Sequence, residues 1–177
     1  GSCALAVLYF ATEEQQAKIL PPIFAAADNY LSGIGEDGSC VEGLSYWTYG
    51  FSHFIILANI IKWCTGKDYY EKQKVKDLAL FPQRVRLSDS KCAAIADSSE
   101  NFVFRVGPVC FLKSTYPEVH LPDLQYAVLT GNVDSFCDLL WLDPDYKANR
   151  KDFSGLPPEE TPFSQLPDVQ AALKELK

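Results

Sequence analysis

The chain of 177 residues has no methionine, two histidines, and no pair at C-x-x-C spacing among its six cysteines. With no such pair and neither His53 nor His120 at zinc-finger spacing, the ligand pattern of a structural zinc site is missing, as is the dithiol of thioredoxin-like chemistry. The sequence also has no phosphate-loop, H-E-x-x-H or G-x-S-x-G run, so nucleotide-hydrolase, zincin and serine-hydrolase readings lose their usual support. No metal and no cofactor are expected. Positive charge is scarce, 16 Lys plus Arg against 23 Asp plus Glu, for a net charge of -7. A general nucleic-acid binder or an anionic-membrane binder needs the opposite balance, whereas an anionic sugar held in one locally basic cleft stays possible. There is no n-region, h-region and cleavage site, and with Met absent even from position 1 the chain reads as an excised or processed piece.

What is present is ordinary globular material: 47% hydrophobic and 22% charged, with 13% aromatic residues that supply core bulk and stacking faces for sugar rings. Thr12 followed by Glu13 and Glu14 predicts a cap and acidic first turn for a helix through Ile19. Pro21-Pro22 predicts a kink or restart before a second helical stretch over Ile23, Ala26, Ala27, Tyr30 and Leu31. A Gly-rich loop follows over residues 32–39. Residues 46–64 form the longest apolar run, with Ser45 at the expected N-cap. Because Ser52, His53, Asn59 and Lys62 interrupt it, it reads as a helix buried among other helices and not as a membrane span. Cys64 and Cys110 fall in apolar runs and are expected to be buried, inert thiols. Gly66 ends the helix, and a charged amphipathic helix is expected over 67–80.

The period then changes. Residues 84–87 and 92–96 flank a Ser88-Asp89-Ser90 turn and predict a small β excursion near residues 84–97. Helical spacing returns over 101–114, 123–131 and 133–141. A proline-rich stretch over 143–167 then leads to a last short helix at 169–176. The fold class expected is all-α, with seven or eight helices and one β excursion.

The informative region is 36–53, EDGSCVEGLSYWTYGFSH. A helix start carries unpaired backbone N–H groups and the positive end of the helix dipole, so two tyrosines there, Tyr46 and Tyr49, are placed where an anion is favoured. At 3.6 residues per turn Tyr46, Gly50 and His53 share one stripe, with Tyr49 beside it, and Gly50 leaves the backbone open to a ligand. Aromatics at helical spacing are more often core than site, and a buried His53 satisfied by one hydrogen bond is commoner than a catalytic one, so spacing alone favours the core reading at this point.

The stretch DGSCVEGLSYWTYG resembles the D-G-S-x-x-E-G-x-x-Y-W-x-Y-G signature of the heparinase II/III-like polysaccharide lyases. It matches at Asp37, Gly38, Ser39, Glu42, Gly43, Tyr46, Trp47, Tyr49 and Gly50. The downstream run LSDSKCAAIADSS is similar to that family's L-S-D-G-x-F-x-x-F-A-D-S segment, with Cys92, Ala93 and Ile95 at positions where aromatic residues are usual; Leu44 stands where Pro is common. The resemblance covers about residues 3–145. It implies an incomplete α/α toroid of antiparallel helix pairs, with residues 1–177 a part of that one domain and the usual C-terminal β-sandwich belonging to the parent chain. It also implies β-elimination across a uronic acid glycosidic bond, a periplasmic or secreted location, and acidic polysaccharide as partner, without nucleic acid or membrane span. Tyr46 stands at the family's catalytic tyrosine position, as base and then acid. Glu42, Trp47, Tyr49 and His53 are the residues expected to bind substrate. The Asn or His that neutralises the substrate carboxylate lies, in the family, upstream of the helix with which this chain opens, so the fragment alone is expected to be inactive. The alternatives are a non-catalytic carbohydrate-binding or scaffold toroid, in which Trp47 and Tyr49 stack sugars and no proton moves, and a helical-repeat module that binds protein.

Overall fold

A computed structural model describes residues 10–87, 91–100, 104–121, 127–128, 141 and 143. They are predominantly helical. The chain divides into two compact units, residues 1–81 with 95–98, and residues 82–94 with 99–177.

In the first unit, helix α1 spans Glu13–Ser32. Thr12 begins it with a capping box: its hydroxyl accepts from the Gln15 N–H at 3.3 Å, and the Gln15 side-chain oxygen accepts from the Thr12 N–H at 2.9 Å. Contrary to the expected kink or restart, the helix runs unbroken through Pro21 and Pro22. The carbonyls that the two prolines leave without intrahelical donors are those of Ala17 and Lys18, both exposed residues, where a lost intrahelical bond costs least. Ile23, Ala27 and Leu31 form the buried face.

The central helix is composite. Helix α2 (Gly43–Tyr46) passes into a π turn (Trp47–Phe51) and then into α3 (Ser52–Thr65), which Gly66 closes in the left-handed conformation with its N–H donating to the Lys62 carbonyl. It therefore starts at Gly43, two residues before Ser45, and Ser45 is not its cap. Phe54, Ile55, Ala58, Ile60 and Ile61 are buried along α3. Its last turn is not core as the apolar run suggested: Trp63 and Cys64 are exposed.

Helix α4 spans Gln73–Arg84, starting six residues later than the charge pattern suggests. Asp68 delays it: one carboxylate oxygen accepts from the Tyr70 N–H at 2.8 Å and the other pairs with Lys62 at 2.6 Å. The turn so formed buries Tyr69 and lets the Tyr70 hydroxyl donate to the Ile55 carbonyl at 3.0 Å. Pro82 lies inside α4 and offers no N–H to the Leu78 carbonyl. That carbonyl instead accepts the Trp47 indole N–H at 2.8 Å.

In the second unit, the expected β excursion is an antiparallel bridge between Arg86 and Cys92; the turn at Ser88–Ser90 lies outside the described residues. Strand β1 (Phe104–Arg105) precedes helix α5 (Val106–Thr115), so the helix expected over 101–114 begins late. Pro108 sits in its first turn, where a missing N–H costs nothing. Within the stretch expected to be helical over 123–131, Ala127 and Val128 form strand β2 and pair in parallel with Phe104 and Arg105. The helices expected over 133–141, apart from Trp141, and over 169–176, and nearly all of the proline-rich stretch, lie outside the described residues.

Cys40, Cys92 and Cys110 are buried, whereas Cys64, expected to be buried, is exposed. Burial pushes the Cys40 and Cys92 thiols up, so at neutral pH they stay protonated and slow to react. A short pulse of iodoacetamide on native protein, read by peptide mass spectrometry, is expected to alkylate Cys64 first of these four. Faster labelling of Cys40 would contradict the packing of the loop around it.

Candidate functional site

The D-G-S-x-x-E-G half of the motif builds the support for the tyrosines. Asp37 accepts from the Ser39 N–H at 2.9 Å, and Gly35 and Ser39 close the loop through a 2.9 Å backbone bond. Gly38, at φ +78°, lies directly on the backbone of α4: a Cβ there would sit 2.3 Å from the Asp77 carbonyl carbon and 2.4 Å from the Leu78 nitrogen. Gly43, at φ +80°, is pressed in the same way against the Ile95 carbonyl oxygen and the Ser98 hydroxyl. Only glycine meets both the conformation and the space at these two positions.

From this support the helix carries side chains both inward and outward. Trp47 is 3% exposed and packs on Phe51 with ring centroids 5.6 Å apart, and Phe51 in turn packs on Phe54. Trp47 was expected to bind substrate, but its indole face is committed to the core and its N–H to Leu78, so it cannot stack on a sugar. Tyr46 and Tyr49 point outward, 46% and 66% exposed. Glu42 is exposed at the helix entry, with its backbone carbonyl facing the Ser98 hydroxyl.

A π turn carries an extra residue per turn and is a frequent companion of functional sites. It also breaks the 3.6-residue stripe that would align Tyr46, Gly50 and His53. The pair it brings together is Tyr49 and His53, with rings 4.7 Å apart and the His53 Nδ1 donating to the Tyr49 carbonyl at 2.7 Å. A carbonyl can only accept, so Nδ1 carries a proton and donates it in this bond. Behind the turn, Gly50 faces the Tyr30 ring, whose Cε2 would lie 3.1 Å from an added Cβ. Gly50 is thus half-filled by a protein ring and is not an open approach for a ligand.

Tyr30 and Ser98 are site residues that sequence reasoning misses. Tyr30 stacks on Phe54 at 5.1 Å, and burial, then the nearby Cys40, raises its phenol well above the ordinary tyrosine range. A raised folded-state value means that the stabilisation is complete below about pH 10, the unfolded value, and is lost as pH climbs toward the folded one. Alkaline titration followed at once by tyrosinate absorbance and circular dichroism is therefore expected to show loss of structure beginning above about pH 10. Tyr30→Phe should move that onset upward; an unchanged onset would remove Tyr30 from the account.

Gly33-Ile34-Gly35-Glu36-Asp37-Gly38 has the glycine spacing of a dinucleotide-binding loop, but it follows helix α1 and not a strand, which removes the geometry that such a loop needs. Among the described residues no three His, Cys, Asp or Glu side chains gather as a metal site, and no helix is long and apolar enough to cross a membrane. Chemically, the site offers two exposed phenols, an imidazole and a carboxylate on one helix entry. Comparison with protein-family models, with curated proteins and with solved structures finds no match for this chain.

Proposed function

We propose that this chain carries the tyrosine-bearing part of a polysaccharide lyase site that cleaves uronate-containing acidic glycans by β-elimination, within an α/α toroid of the heparinase II/III-like kind. One observation carries the reading. The motif positions divide into buried supports, Gly38, Gly43 and Trp47, and exposed groups able to meet a glycan, Glu42, Tyr46 and Tyr49. A purely structural motif would have no need to hold two phenols in solvent at the end of so constrained a loop.

In this reading Tyr46 removes the C5 proton of the uronate as phenolate. The electron pair left on C5 forms the C4–C5 double bond, the C4–O bond breaks, and the proton now on Tyr46 passes to the leaving glycosidic oxygen. A phenol is a weak base near neutrality, so proton removal has to be coupled to departure of the leaving group. Tyr49, backed by His53, offers a ring face to a sugar. Acidic glycans of this class place the protein in the periplasm or outside the cell. The test is a panel of uronate polysaccharides incubated with the protein in its native flanking sequence, scored by ultraviolet absorbance of the unsaturated uronate. Appearance of that product supports the reading.

The Tyr49–His53 pair also favours a second reading, a non-catalytic carbohydrate-binding domain, since a tyrosine 66% exposed with the tilted His53 ring 4.7 Å away is a ready platform for a sugar ring. Saturable binding of an acidic oligosaccharide with no unsaturated product would select it over the lyase.

A further inference from the structure

Helix α2 begins without a cap of its own: Glu42 stands at the N-cap and its side chain makes no capping hydrogen bond. The missing cap is supplied from 53 positions along the chain, where the hydroxyl of Ser98 accepts the Ser45 N–H at 3.0 Å. The same oxygen reaches the Glu42 carbonyl at 3.5 Å, as donor. Ser98 is 6% exposed, one of the few buried polar side chains described, and it is held by a tight turn in which its own N–H donates to the Ile95 carbonyl at 3.0 Å. Ala96 within that turn has φ +48°, a left-handed conformation that a non-glycine residue adopts at a cost and keeps only where its surroundings enforce it. Gly43 is the surface against which the turn closes. Serine placed at the end of a run shared with no helix, and buried against a helix start, has the geometry of an N-cap delivered in trans.

We infer that Ser98 is a positioning residue for Tyr46, fixing the first turn of the helix so that the phenol is held in one place for proton transfer. The inference rests on the lyase reading for its consequence in catalysis, and on the hydrogen bonds alone for its consequence in structure. Ser45 directly precedes Tyr46. Loss of the bond to the Ser45 N–H frees the turn that carries the phenol, and small misplacements of a reacting group are costly in rate.

The test compares wild type with Ser98→Ala, in the protein with its native flanking sequence, by three measurements: hydrogen exchange at the Ser45 amide, the ring resonances of Tyr46 and Tyr49 in protein carrying carbon-13 tyrosine, and elimination kinetics. In Ser98→Ala the Ser45 amide is expected to exchange about tenfold faster, as a freed helix-terminal N–H does. The Tyr46 resonance should move more than that of Tyr49, and kcat should fall about tenfold with KM within about twofold. Should Ser98→Ala not fold, Ser98→Cys, which fills the same space with a poor hydrogen-bonding group, carries the same expectations. Wild-type kcat together with an unmoved Tyr46 resonance overturns the inference, even if Ser45 exchange quickens, because the cap would then serve the fold alone. If wild type makes no unsaturated product, the lyase reading fails by itself. Ser98 is then judged on the Tyr46 resonance, which sustains the positioning role if it moves and overturns it if it does not.

Discussion

Tyr46→Phe is expected to lower β-elimination by about 10²–10⁴-fold, the range that a positioned acid–base group contributes, while leaving the fold in place. The ring is kept, and only a hydroxyl on a side chain 46% exposed is removed. Such a surface change shifts stability by no more than about 0.5 kcal/mol. Thermal melting together with the unsaturated-product assay separates the two effects. Tyr49→Phe provides the contrast: it retains the stacking face and should affect KM more than kcat. A Tyr46→Phe protein that keeps wild-type turnover would take the proton-transfer role away from this residue.

Gly38→Ala is expected to destabilise the protein by about 2–5 kcal/mol, from the sum of two costs. Left-handed backbone at φ +78° costs a Cβ-bearing residue about 1–2 kcal/mol. The added methyl would also meet the backbone of α4 at 2.3 Å, and overpacking against atoms that cannot rotate away costs about 1–3 kcal/mol more. Gly66→Ala separates the terms: Gly66 has φ +74° with no atom within 4 Å of the added carbon, so only the conformational cost applies. Urea denaturation should rank Gly38→Ala well below Gly66→Ala. Equal midpoints would mean that the loop does not rest on α4.

Much of the fold was legible because its signals are local. Thr12, Glu13, Glu14 and Gln15 stand within one turn of each other, so the start of α1 needs nothing from elsewhere in the chain. Gly66 ends α3 through its own φ, and the change of period near residue 85 marks the Arg86–Cys92 bridge. The readings that failed depend on partners far away in sequence. Ser45 has the composition of an N-cap, yet the helix begins earlier because Gly43 and Ser98 meet. Pro21-Pro22 has the composition of a break, yet the freed carbonyls belong to the exposed residues Ala17 and Lys18 and the helix continues.

At the candidate site the same division holds. Composition and spacing by themselves determine that residues 36–53 form a glycine-rich entry to an apolar helix, that the chain is mainly helical among its described residues, and that Tyr46 and Tyr49 stand near that entry. Spacing could not say which aromatic faces solvent, since Tyr46, Trp47 and Tyr49 lie within four residues and a helix can turn any of them inward. That choice was made by contacts across the fold. Pro82 leaves the Leu78 carbonyl without a donor, the Trp47 indole supplies one and is drawn into the core, and the π turn leaves both tyrosines outside. A buried carbonyl must find a partner, and the N–H that satisfies this one lies 31 positions away in the chain.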